Sequence, residues 1–315
     1  MKTIATLTMN PTIDVAYEVQ RVFPTHKMRT EHEYHNPGGG GINVARVFVR
    51  LGGTAQAWYM SGGATGVALD GLLDHHRLDR QRLAIAGETR VSTSVLERES
   101  GREYRFVPPG PTLAEAEWTD ALAQLARVEC HYLVISGSLP PGVPEDFYAR
   151  LAALAAPRGI KVVVDSSGPA LRAAVAGEGL FLIKPSQGEL QQLVGQPLED
   201  RDAIARAAAR IVADGGAEHV AVTMGHDGAV LANADGTLYL PVVPIEARSA
   251  VGAGDSFLAG MIHGICAGRP IAEAFRYGMA AGSAAVLTPG TDLARPDDIE
   301  RLFTMMSAAG YAEGK

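Results

Sequence analysis

The sequence predicts an α/β protein with a doubly wound, mostly parallel sheet sandwiched between helices, and a small β-sheet lid. Short β-branched runs alternate along the 315-residue chain with Ala/Leu/Arg-rich segments of helical period. This alternation is typical of parallel strands joined by crossover helices. Two segments, 14–35 and 91–107, alternate polar and apolar residues instead, as half-exposed strands do. We therefore expect one domain over residues 1–315, with these two segments as its lid.

The core strands and helices follow from local patterns. The β-branched runs predict strands at 3–8, 55–60, 131–137, 161–168, 180–185 and 219–224. Apolar residues at three- and four-residue spacing, in segments rich in alanine, predict helices at 42–51, 66–76, 114–127, 145–156, 200–214, 254–267 and 271–287. Lid segment 91–107 is predicted to be a hairpin with its turn at Glu99–Arg102. An uncovered lid face with Val15, Tyr17, Val19, Val95 and Phe106 predicts a homodimer through the lid.

Composition and charge restrict the partners. The net charge is −7 and the pI is near 5.7, which argues against nucleic acid or an anionic membrane as a partner, since both need a basic surface. The longest uncharged run, 51–69, is too polar and too rich in glycine for a membrane span. Two cysteines without C-x-x-C spacing and an N-terminal MKTIATLTMN unlike a signal peptide favour a cytoplasmic protein.

The stretch VGAGDSFLAG, residues 251–260, places an aspartate at the start of a predicted helix. A helix start with small residues exposes backbone N–H groups and the positive end of the helix dipole, which suits a phosphate. Asp255 permits two interpretations. It is either an N-cap, since aspartate is a preferred capping residue, or a catalytic base beside an anion-binding helix start.

Two glycine-rich stretches precede helices. NPGGGGINVAR, residues 36–46, has four consecutive glycines, but it does not directly follow the first strand as a dinucleotide fingerprint requires. GGATG, residues 62–66, is by itself a weak signal that is more often an ordinary strand-to-helix loop. No G-x-x-x-x-G-K-[ST] occurs, which excludes P-loop chemistry, and the protein-kinase signatures are absent as well.

The stretch IKPSQGEL, residues 183–190, follows a strand and opens a helix. Lys184 is therefore expected at the carboxyl edge of the sheet, where open α/β sheets bind ligands. Glu189 is either a first-turn acid favoured by the helix dipole or a ligand that holds Mg²⁺ through water.

These stretches together resemble the ribokinase-like sugar kinase family, also called the PfkB family. The similar motifs run through nearly the whole chain in the family's order, namely TLTMNPTID, GGGGINVAR, GGATG, VISGSLPPG, VVVDSSG, IKPSQGEL, VTMGHDGA and VGAGDSFLAG. Within the family, the chain looks most like the minor, type II 6-phosphofructokinases. The resemblance implies ATP-dependent phosphorylation of a sugar phosphate, namely of fructose 6-phosphate to fructose 1,6-bisphosphate in glycolysis.

The resemblance also implies roles for individual residues. Asp255 matches the catalytic base, and Gly252, Ala253 and Gly254 match the anion hole. Sugar hydroxyls and the substrate's own phosphate are expected at Asp14, Lys27, Gly39, Asn43, Arg90, Arg105 and Ser138. The nucleotide is expected at Lys184, Ser186, Thr223, Gly225, Ser249, Val251, Ala281 and Ala285, and Mg²⁺ at Glu189.

The chain departs from the family pattern at a few positions. Residue 186 is serine where asparagine is common, and residue 250 is alanine where a threonine usually precedes the Gly-Ala-Gly-Asp motif. Both departures concern the placement of ATP and Mg²⁺. Thr288 and Asp292 differ from the pattern expected around a monovalent cation, so the resemblance leaves potassium open as a further cofactor.

Three functions of different class remain open from the sequence. The first is a 6-phosphofructokinase. The second is a kinase of a neighbouring substrate, with 1-phosphofructokinase and tagatose-6-phosphate kinase as the nearest alternatives. The third is a non-catalytic sugar-phosphate sensor, since a fold does not determine a function. A sensor would not need a base and an anion hole together, and a nucleoside kinase would not need the basic set Lys27, Arg90 and Arg105.

Overall fold

The computed structural model describes residues 2–246, 251–288, 290 and 292–308 of the chain. The strands in this part of the chain are β1 Ile4–Thr8, β2 Thr12–Val19, β3 His32–Gly38, β4 Ala55–Ser61, β5 Asp79–Ala84, β6 Arg90–Glu97, β7 Arg102–Phe106, β8 Tyr132–Ser136, β9 Lys161–Asp165, β10 Leu180–Ile183, β11 Ala217–Thr223, β12 Ala229–Asn233 and β13 Gly236–Leu240. The α-helices are α1 Gly40–Arg50, α2 Gly63–Asp74, α3 Glu115–Leu125, α4 Phe147–Ala155, α5 Gly168–Ala176, α6 Gln187–Val194, α7 Arg201–Ala213, α8 Ala253–Cys266, α9 Ile271–Ala285 and α10 Pro296–Ala308.

The main sheet has nine strands among the described residues, in the order β13-β12-β11-β10-β9-β8-β1-β4-β5. All neighbouring strands from β11 to β5 are parallel, whereas β12 and β13 pair antiparallel at one edge. The central strands β1 and β8 are buried along their whole length, because hydrophobic clusters cover both faces of the sheet. The predicted doubly wound, mostly parallel sheet is therefore confirmed.

The second sheet is the lid, formed by β2, β3, β6 and β7 in the order β3-β2-β6-β7. Strands β2 and β6 run parallel, and the outer strands pair antiparallel with them. The predicted hairpin of 91–107 corresponds to β6 and β7, which are joined by a turn at residues 98–101. Both predicted lid segments thus belong to one small sheet.

The exposed apolar side chains of the lid differ from those predicted. Val15 and Val19 of β2 are only 6% and 3% exposed, and Val15 belongs to the main hydrophobic core. This part of the expectation was wrong because one face of β2 packs on the main domain. Phe106 is exposed as predicted, at 62%. Further exposed apolar residues of the lid are Phe23, Met28, Tyr34, Val91, Leu96 and Val107.

Several elements have no predicted counterpart. Strand β5, with the sequence DRQRLA, is an edge strand whose polar residues hide its pattern. Strands β12 and β13 form a hairpin around Ala234 and Asp235, and the Asp-Gly pair there is a hairpin signal in the sequence. Helices α5 and α10 also have no predicted counterpart. No helix in the described ranges is long and apolar enough to cross a membrane.

Candidate active site

A cavity of about 380 Å³ lies between the lid and the carboxyl edge of the main sheet. In an open α/β sheet this edge is where ligands bind, because the loops after the parallel strands meet there. Residues from the lid, from the starts of α1 and α8, and from the ends of β8 and β9 face the same space. The lining residues are Thr12, Asp14, Gly39, Gly40, Asn43, Arg90, Ser92, Arg105, Val107, Ser136, Gly137, Ser138, Asp165, Ser166, Ser167, Glu189, Val251, Gly252 and Asp255.

Asp255 lies in the first turn of α8 but does not cap it. The N-cap residue is Gly252, whose φ of 72° is in the left-handed region that favours glycine, and no side chain caps this helix. The Asp255 carboxylate instead accepts a hydrogen bond of 2.9 Å from Nδ2 of Asn43. The capping interpretation of Asp255 is therefore wrong. Ala253 and Gly254 precede it in the same first turn, where backbone N–H groups have no partner within the helix.

The surroundings of Asp255 make its carboxyl group a weaker acid than usual. Burial raises the pKa of Asp255 to about 6, and the charge of Asp165 adds to this effect. The hydrogen bond from Asn43 and the charge of Lys184 act in the opposite direction. A pKa near 6 lets the carboxylate be ionised at neutral pH and yet accept a proton, as a general base must.

Asp14 forms the lid side of the cavity. Its carboxylate approaches the backbone of the glycine loop so closely that a Cβ on Gly38 would lie 2.0 Å from Asp14 Oδ2. Burial raises the pKa of Asp14 to about 6, and the charges of Arg105 and Arg90 partly oppose this shift. The charge of Asp14 therefore interacts both with these arginines and with Asp255 of α8.

Two arginines give this cavity a local positive charge. Arg90 Nη1 donates to the carbonyl oxygen of Pro108 at 2.9 Å, and Nη2 donates to that of Asn10 at 2.8 Å. These bonds fix the guanidinium at the rim of the cavity. Arg105 of β7 also lines the cavity. Ser138 lines the same cavity, and its Oγ accepts a hydrogen bond of 3.4 Å from Nδ2 of Asn10, whose carbonyl oxygen accepts from Arg90.

The four glycines at residues 38–41, which run from the end of β3 into the start of α1, allow close packing of this segment over the sheet edge. Gly39 has a φ of +110°, which L side chains rarely adopt. A Cβ on Gly40 would lie 2.1 Å from the hydroxyl oxygen of Ser136, at the end of β8. The loop thus lies on the strand ends, and it brings Gly39 and Asn43 to the cavity.

Lys184 lies just after β10, at the sheet edge where it was predicted. It is 5% exposed, and its Nζ is 3.0 Å from a carboxylate oxygen of Asp165. Burial opposes the charge on Lys184, but the contact with Asp165 and the charges of Asp255 and Glu189 together outweigh it, so the pKa of Lys184 is raised. A Cβ on Gly254 would lie 3.3 Å from this Nζ. The lysine charge is therefore held next to the N-terminus of α8.

Ser186 and Glu189 cap helix α6 reciprocally. The backbone N–H of Ser186 donates to Glu189 Oε2 at 2.7 Å, and Ser186 Oγ accepts from the backbone N–H of Glu189 at 3.3 Å. This is a capping box, a helix-start motif that the sequence pattern S-x-x-E signals. Glu189 also lines the cavity. Both of the interpretations proposed for this residue are thus compatible with its position.

Thr223, another predicted nucleotide residue, lies beside this helix start. Ser186 and Thr223 form an isolated parallel bridge, in which the N–H of Thr223 donates to the carbonyl of Pro185 at 3.0 Å. Gly225 follows in an exposed turn with a φ of +59°. Val251 lines the cavity, whereas the predicted residue Ser249 and the departure at Ala250 fall outside the described residues.

Nine predicted residues of the described part of the chain are not among those that line this cavity, namely Lys27, Lys184, Ser186, Thr223, Gly225, Ala253, Gly254, Ala281 and Ala285. Lys27 lies in the exposed loop between β2 and β3 and is not among the lining residues. Ala281 and Ala285 are 0% exposed within α9. Helix α9 packs tightly on α8, and a Cβ on Gly260 would lie only 2.5 Å from that of Ala281. The small residues at these positions allow two helices to approach each other.

The sequence reasoning also missed residues that the structure brings to the cavity. Asp165, the partner of Lys184, ends strand β9 directly after three buried valines. A carboxylate at the end of a buried strand could have indicated a site residue. Ser92 and Thr12 contact each other at 3.0 Å across the parallel pair of β2 and β6. This pairing joins two distant segments, and nothing in the sequence of either one indicates it.

The fold and this cavity define the class of protein. A mostly parallel sheet carries a cavity at its carboxyl edge, under a four-stranded lid, and this cavity is lined by two arginines and by a carboxylate at a helix N-terminus. This is the arrangement of a ribokinase-like sugar kinase. The chain belongs to the pfkB family of carbohydrate kinases, which matches residues 7–298.

Three relatives show where the chain lies within this family. It is 40% identical over 304 residues to an "ATP-dependent 6-phosphofructokinase isozyme 2" of Mycobacterium tuberculosis, and the match covers 96% of this chain and 89% of that protein. It is 39% identical over 308 residues to the protein of the same name from Escherichia coli, and the match covers 98% of this chain and 100% of that protein. A "1-phosphofructokinase" of Bacillus subtilis is 32% identical, covering 89% of this chain and 91% of that protein.

Solved structures agree with this relationship. The crystal structure of phosphofructokinase-2 from Escherichia coli in complex with potassium has a TM-score of 0.93 and 39% identity, covering 98% of this chain and 100% of that chain. Another crystal structure of that enzyme, with a TM-score of 0.91 and 38% identity over the same shares, is a complex with fructose-6-phosphate. A third, with the same values, is its tetrameric inhibited form.

Proposed function

We propose that this chain transfers the γ-phosphoryl group of ATP to fructose 6-phosphate, forming fructose 1,6-bisphosphate. The observation that carries the proposal is the position of Asp255 at the N-terminus of α8, in a cavity that also contains Arg90 and Arg105. A base, an anion-binding helix start and a local positive charge are what a kinase of an already phosphorylated sugar requires. The names of the relatives at 39–40% identity support the same substrate.

In this proposal Asp255 orients the attacking sugar hydroxyl and takes its proton. Phosphoryl transfer passes through a loose transition state, so positioning and electrostatics contribute more than the strength of the base. The backbone N–H groups of Ala253 and Gly254 stabilise the negative charge on the phosphoryl oxygens. Lys184, held next to Gly254, adds a positive charge on the same side.

The substrate's own phosphate is assigned to the arginine side of the cavity. Arg90 and Arg105 line that side, and Arg90 is fixed by its two carbonyl contacts. Asp14 and Asn43 are assigned to the sugar hydroxyls between the phosphate and Asp255. Lys27 and Ser138 keep their predicted role in phosphate binding, although Lys27 lies outside the cavity of the single chain.

The kinase family implies ATP together with a divalent metal, and we propose Mg²⁺. The donor set suits a hard cation, because the carboxylates of Asp165 and Glu189 line the cavity, and magnesium prefers oxygen ligands and retained water. Both hydrogen bonds that Ser186 donates to Glu189 go to Oε2, so Oε1 of Glu189 accepts neither of them. The metal would neutralise charge on the ATP phosphates. Potassium stays an open prediction. Asp292, where the sequence departs from the expected monovalent-cation pattern, has its carboxylate paired with Arg50 at 3.1 Å.

The second candidate is a kinase that acts on fructose 1-phosphate or a tagatose phosphate. The relatives named 1-phosphofructokinase and D-tagatose-1-phosphate kinase, at 30–32% identity, support it. These substrates differ in the position of the phosphate or in one stereocentre. The arginine side of the cavity would hold any of them, so kinetics must decide.

Initial rates on a panel of sugar phosphates test the proposal. The purified chain is assayed with ATP and Mg²⁺ on fructose 6-phosphate, tagatose 6-phosphate, fructose 1-phosphate and unphosphorylated fructose, with the Asp255→Asn variant as the control for contaminating kinases. We expect the highest kcat/KM on fructose 6-phosphate. A higher value on another member would reassign the acceptor, and no transfer to any of them would indicate the sugar-phosphate sensor.

A further inference from the structure

Arg46 is a buried arginine next to the candidate active site, and no role has been assigned to it above. It lies on α1, three residues after Asn43, and is only 2% exposed. Its Nη1 donates to the carbonyl oxygen of Pro37 at 2.9 Å and to Oδ1 of Asn43 at 3.2 Å. Arg46 therefore contacts both the lid strand β3 and the amide that binds Asp255.

The burial of this arginine needs an explanation. A buried charge is costly unless it is paired or well hydrogen-bonded. Within the described residues Arg46 makes no direct ion pair, and its Nε has no hydrogen-bond partner. Burial lowers the pKa of its guanidinium to about 10, while the more distant charges of Asp292, Asp14 and Asp255 favour the charged form. A core that needed only packing would use an apolar side chain here.

The contact with Asn43 determines which way its amide points. A side-chain amide has an acceptor oxygen on one side and a donor nitrogen on the other, and the two orientations have nearly the same shape. Arg46 can only donate, so it selects the orientation with Oδ1 toward the guanidinium. In that orientation Nδ2 faces Asp255, to which it donates at 2.9 Å. The three side chains form one directed chain of hydrogen bonds.

The contact with Pro37 connects the same guanidinium to the lid. Pro37 lies on β3 opposite Ile13 of β2, and Ile13 directly precedes Asp14 in the sequence. A displacement of this strand would change the position of Arg46, and through Asn43 it would change the orientation of Asp255. The arrangement links β3, the lid strand paired with the Asp14 strand β2, to the carboxylate on α8.

We propose that Arg46 is a positioning residue that orients Asn43 and thereby keeps the Asp255 carboxylate aimed into the cavity. The proposal rests on the proposed role of Asp255 as the base. Arg46 itself touches no reacting atom. Its effect on Asp255 combines a relayed hydrogen bond with the field of a buried positive charge.

Other charged groups also face Asp255 and must be held constant in any test. They come from the lid, the main sheet and the neighbouring helix, and they are Asp14, Arg90, Arg105, Asp165, Lys184 and Glu189. None of them contacts Asn43 Oδ1 among the hydrogen bonds of the described residues. Replacing Arg46 therefore changes the relay without replacing any of these groups.

A double-mutant cycle tests the relay. The variants are Arg46→Met, Asn43→Ala and the combination, with Arg158→Met as the control, because Arg158 also donates Nη1 to a backbone oxygen but lies far from the cavity. We expect Arg46→Met to lower kcat about 10-fold or more, the usual effect of losing a charge-assisted hydrogen bond. In the Asn43→Ala background the same change should have a much smaller effect. Arg158→Met should leave kcat unchanged.

The pH profile of kcat distinguishes positioning from a merely structural role. Loss of the relay and of the buried positive charge should move the acid limb of Arg46→Met to higher pH, whereas general destabilisation would lower kcat equally at every pH. If Arg46→Met does not fold, Arg46→Lys takes its place in the cycle, and because it keeps the charge it should show a smaller shift of the limb. Multiplicative effects of Arg46 and Asn43 substitutions, or an unmoved acid limb, would overturn the inference.

The result can be separated from a failure of the proposed function. If Asp255→Asn keeps a normal kcat, Asp255 is not the base, and the proposed function of the site is wrong. If Asp255→Asn is inactive while the cycle shows no coupling, only the inference about Arg46 is wrong.

Discussion

The side-chain amide of Asn43 lies 2.9 Å from the carboxylate of Asp255, although 212 residues separate them in the chain. Asn43 is in the first turn of α1 and Asp255 is in the first turn of α8. The two helix starts therefore meet at one side of the cavity. Because Gly252 is the N-cap of α8, the carboxylate is available to Asn43 and to a ligand.

We expect the substitution Asp255→Asn to lower kcat by about 10²- to 10⁴-fold, the usual contribution of a general base. The asparagine oxygen still accepts the bond from Asn43, and the cap at Gly252 is untouched, so folding and ATP binding should be unchanged. Glu273→Gln is a matched control, because it removes a first-turn acid from α9 outside the cavity. Steady-state kinetics and calorimetric titration with ATP measure both effects. A near-normal kcat would show that Asp255 is not the base.

Activity should fall as the pH is lowered through about 6. Burial raises the pKa of both Asp255 and Asp14 to about 6, above the ordinary value of 3.8. Both carboxylates are assigned roles that need the ionised form, which predominates only above their folded-state pKa. We therefore expect kcat/KM to be constant above about pH 7 and to decrease below pH 6. A profile that stays flat to pH 5 would contradict these assignments.

The substitution Arg90→Ala should raise the KM for the sugar phosphate about 10- to 150-fold, because a charge-assisted contact to phosphate contributes roughly 1.5–3 kcal/mol. The KM for ATP should change little. Arg102→Ala is the control, since Arg102 belongs to the lid but does not line the cavity. Equal effects of Arg90→Ala on both substrates would place this arginine outside the acceptor site.

We expect the lid to pair with the lid of a second copy, which makes a homodimer the smallest assembly. Tyr34, Leu96 and Phe106 expose 41%, 38% and 62% of their surface on this small sheet, and such apolar surface is usually covered. Phe106→Asp should therefore dissociate the assembly in sedimentation velocity experiments. Val67→Asp, a change at a 65% exposed valine on α2, should not. A fully active monomer of the unmodified chain at micromolar concentration would contradict the prediction.

Much of the main sheet was predictable because its signals are local. Strands such as β8 and β9 are continuous apolar runs, which a fully buried parallel strand requires, and the intervening helices have a clear period. Strand β5 was missed because an edge strand buries little and can carry arginine and aspartate. The hairpin of β12 and β13 was missed although its Asp-Gly turn was visible in the sequence.

The candidate site was predictable where a motif lies at the end of a strand or the start of a helix. Asp255 and Asn43 were predicted at helix starts and Lys184 at the sheet edge, and the structure has them there. The pairing of Lys184 with Asp165 and the contact of Arg46 with Asn43 depend on side-chain directions in three dimensions. The burial of Ala281 depends on how closely α9 approaches α8, which composition alone does not determine.

The parallel pairing of β2 with β6 has a consequence for the order of folding. In its register Thr12 lies opposite Arg90, so the lid joins segments that are separated by β3, α1, β4, α2 and β5. Contacts between distant segments form slowly, because loop closure costs entropy before the contact is gained. The lid should therefore assemble late, after the neighbouring part of the main sheet. During refolding, sugar-phosphate binding should then appear after most of the helical circular dichroism signal, because Arg90 reaches its place only with this pairing.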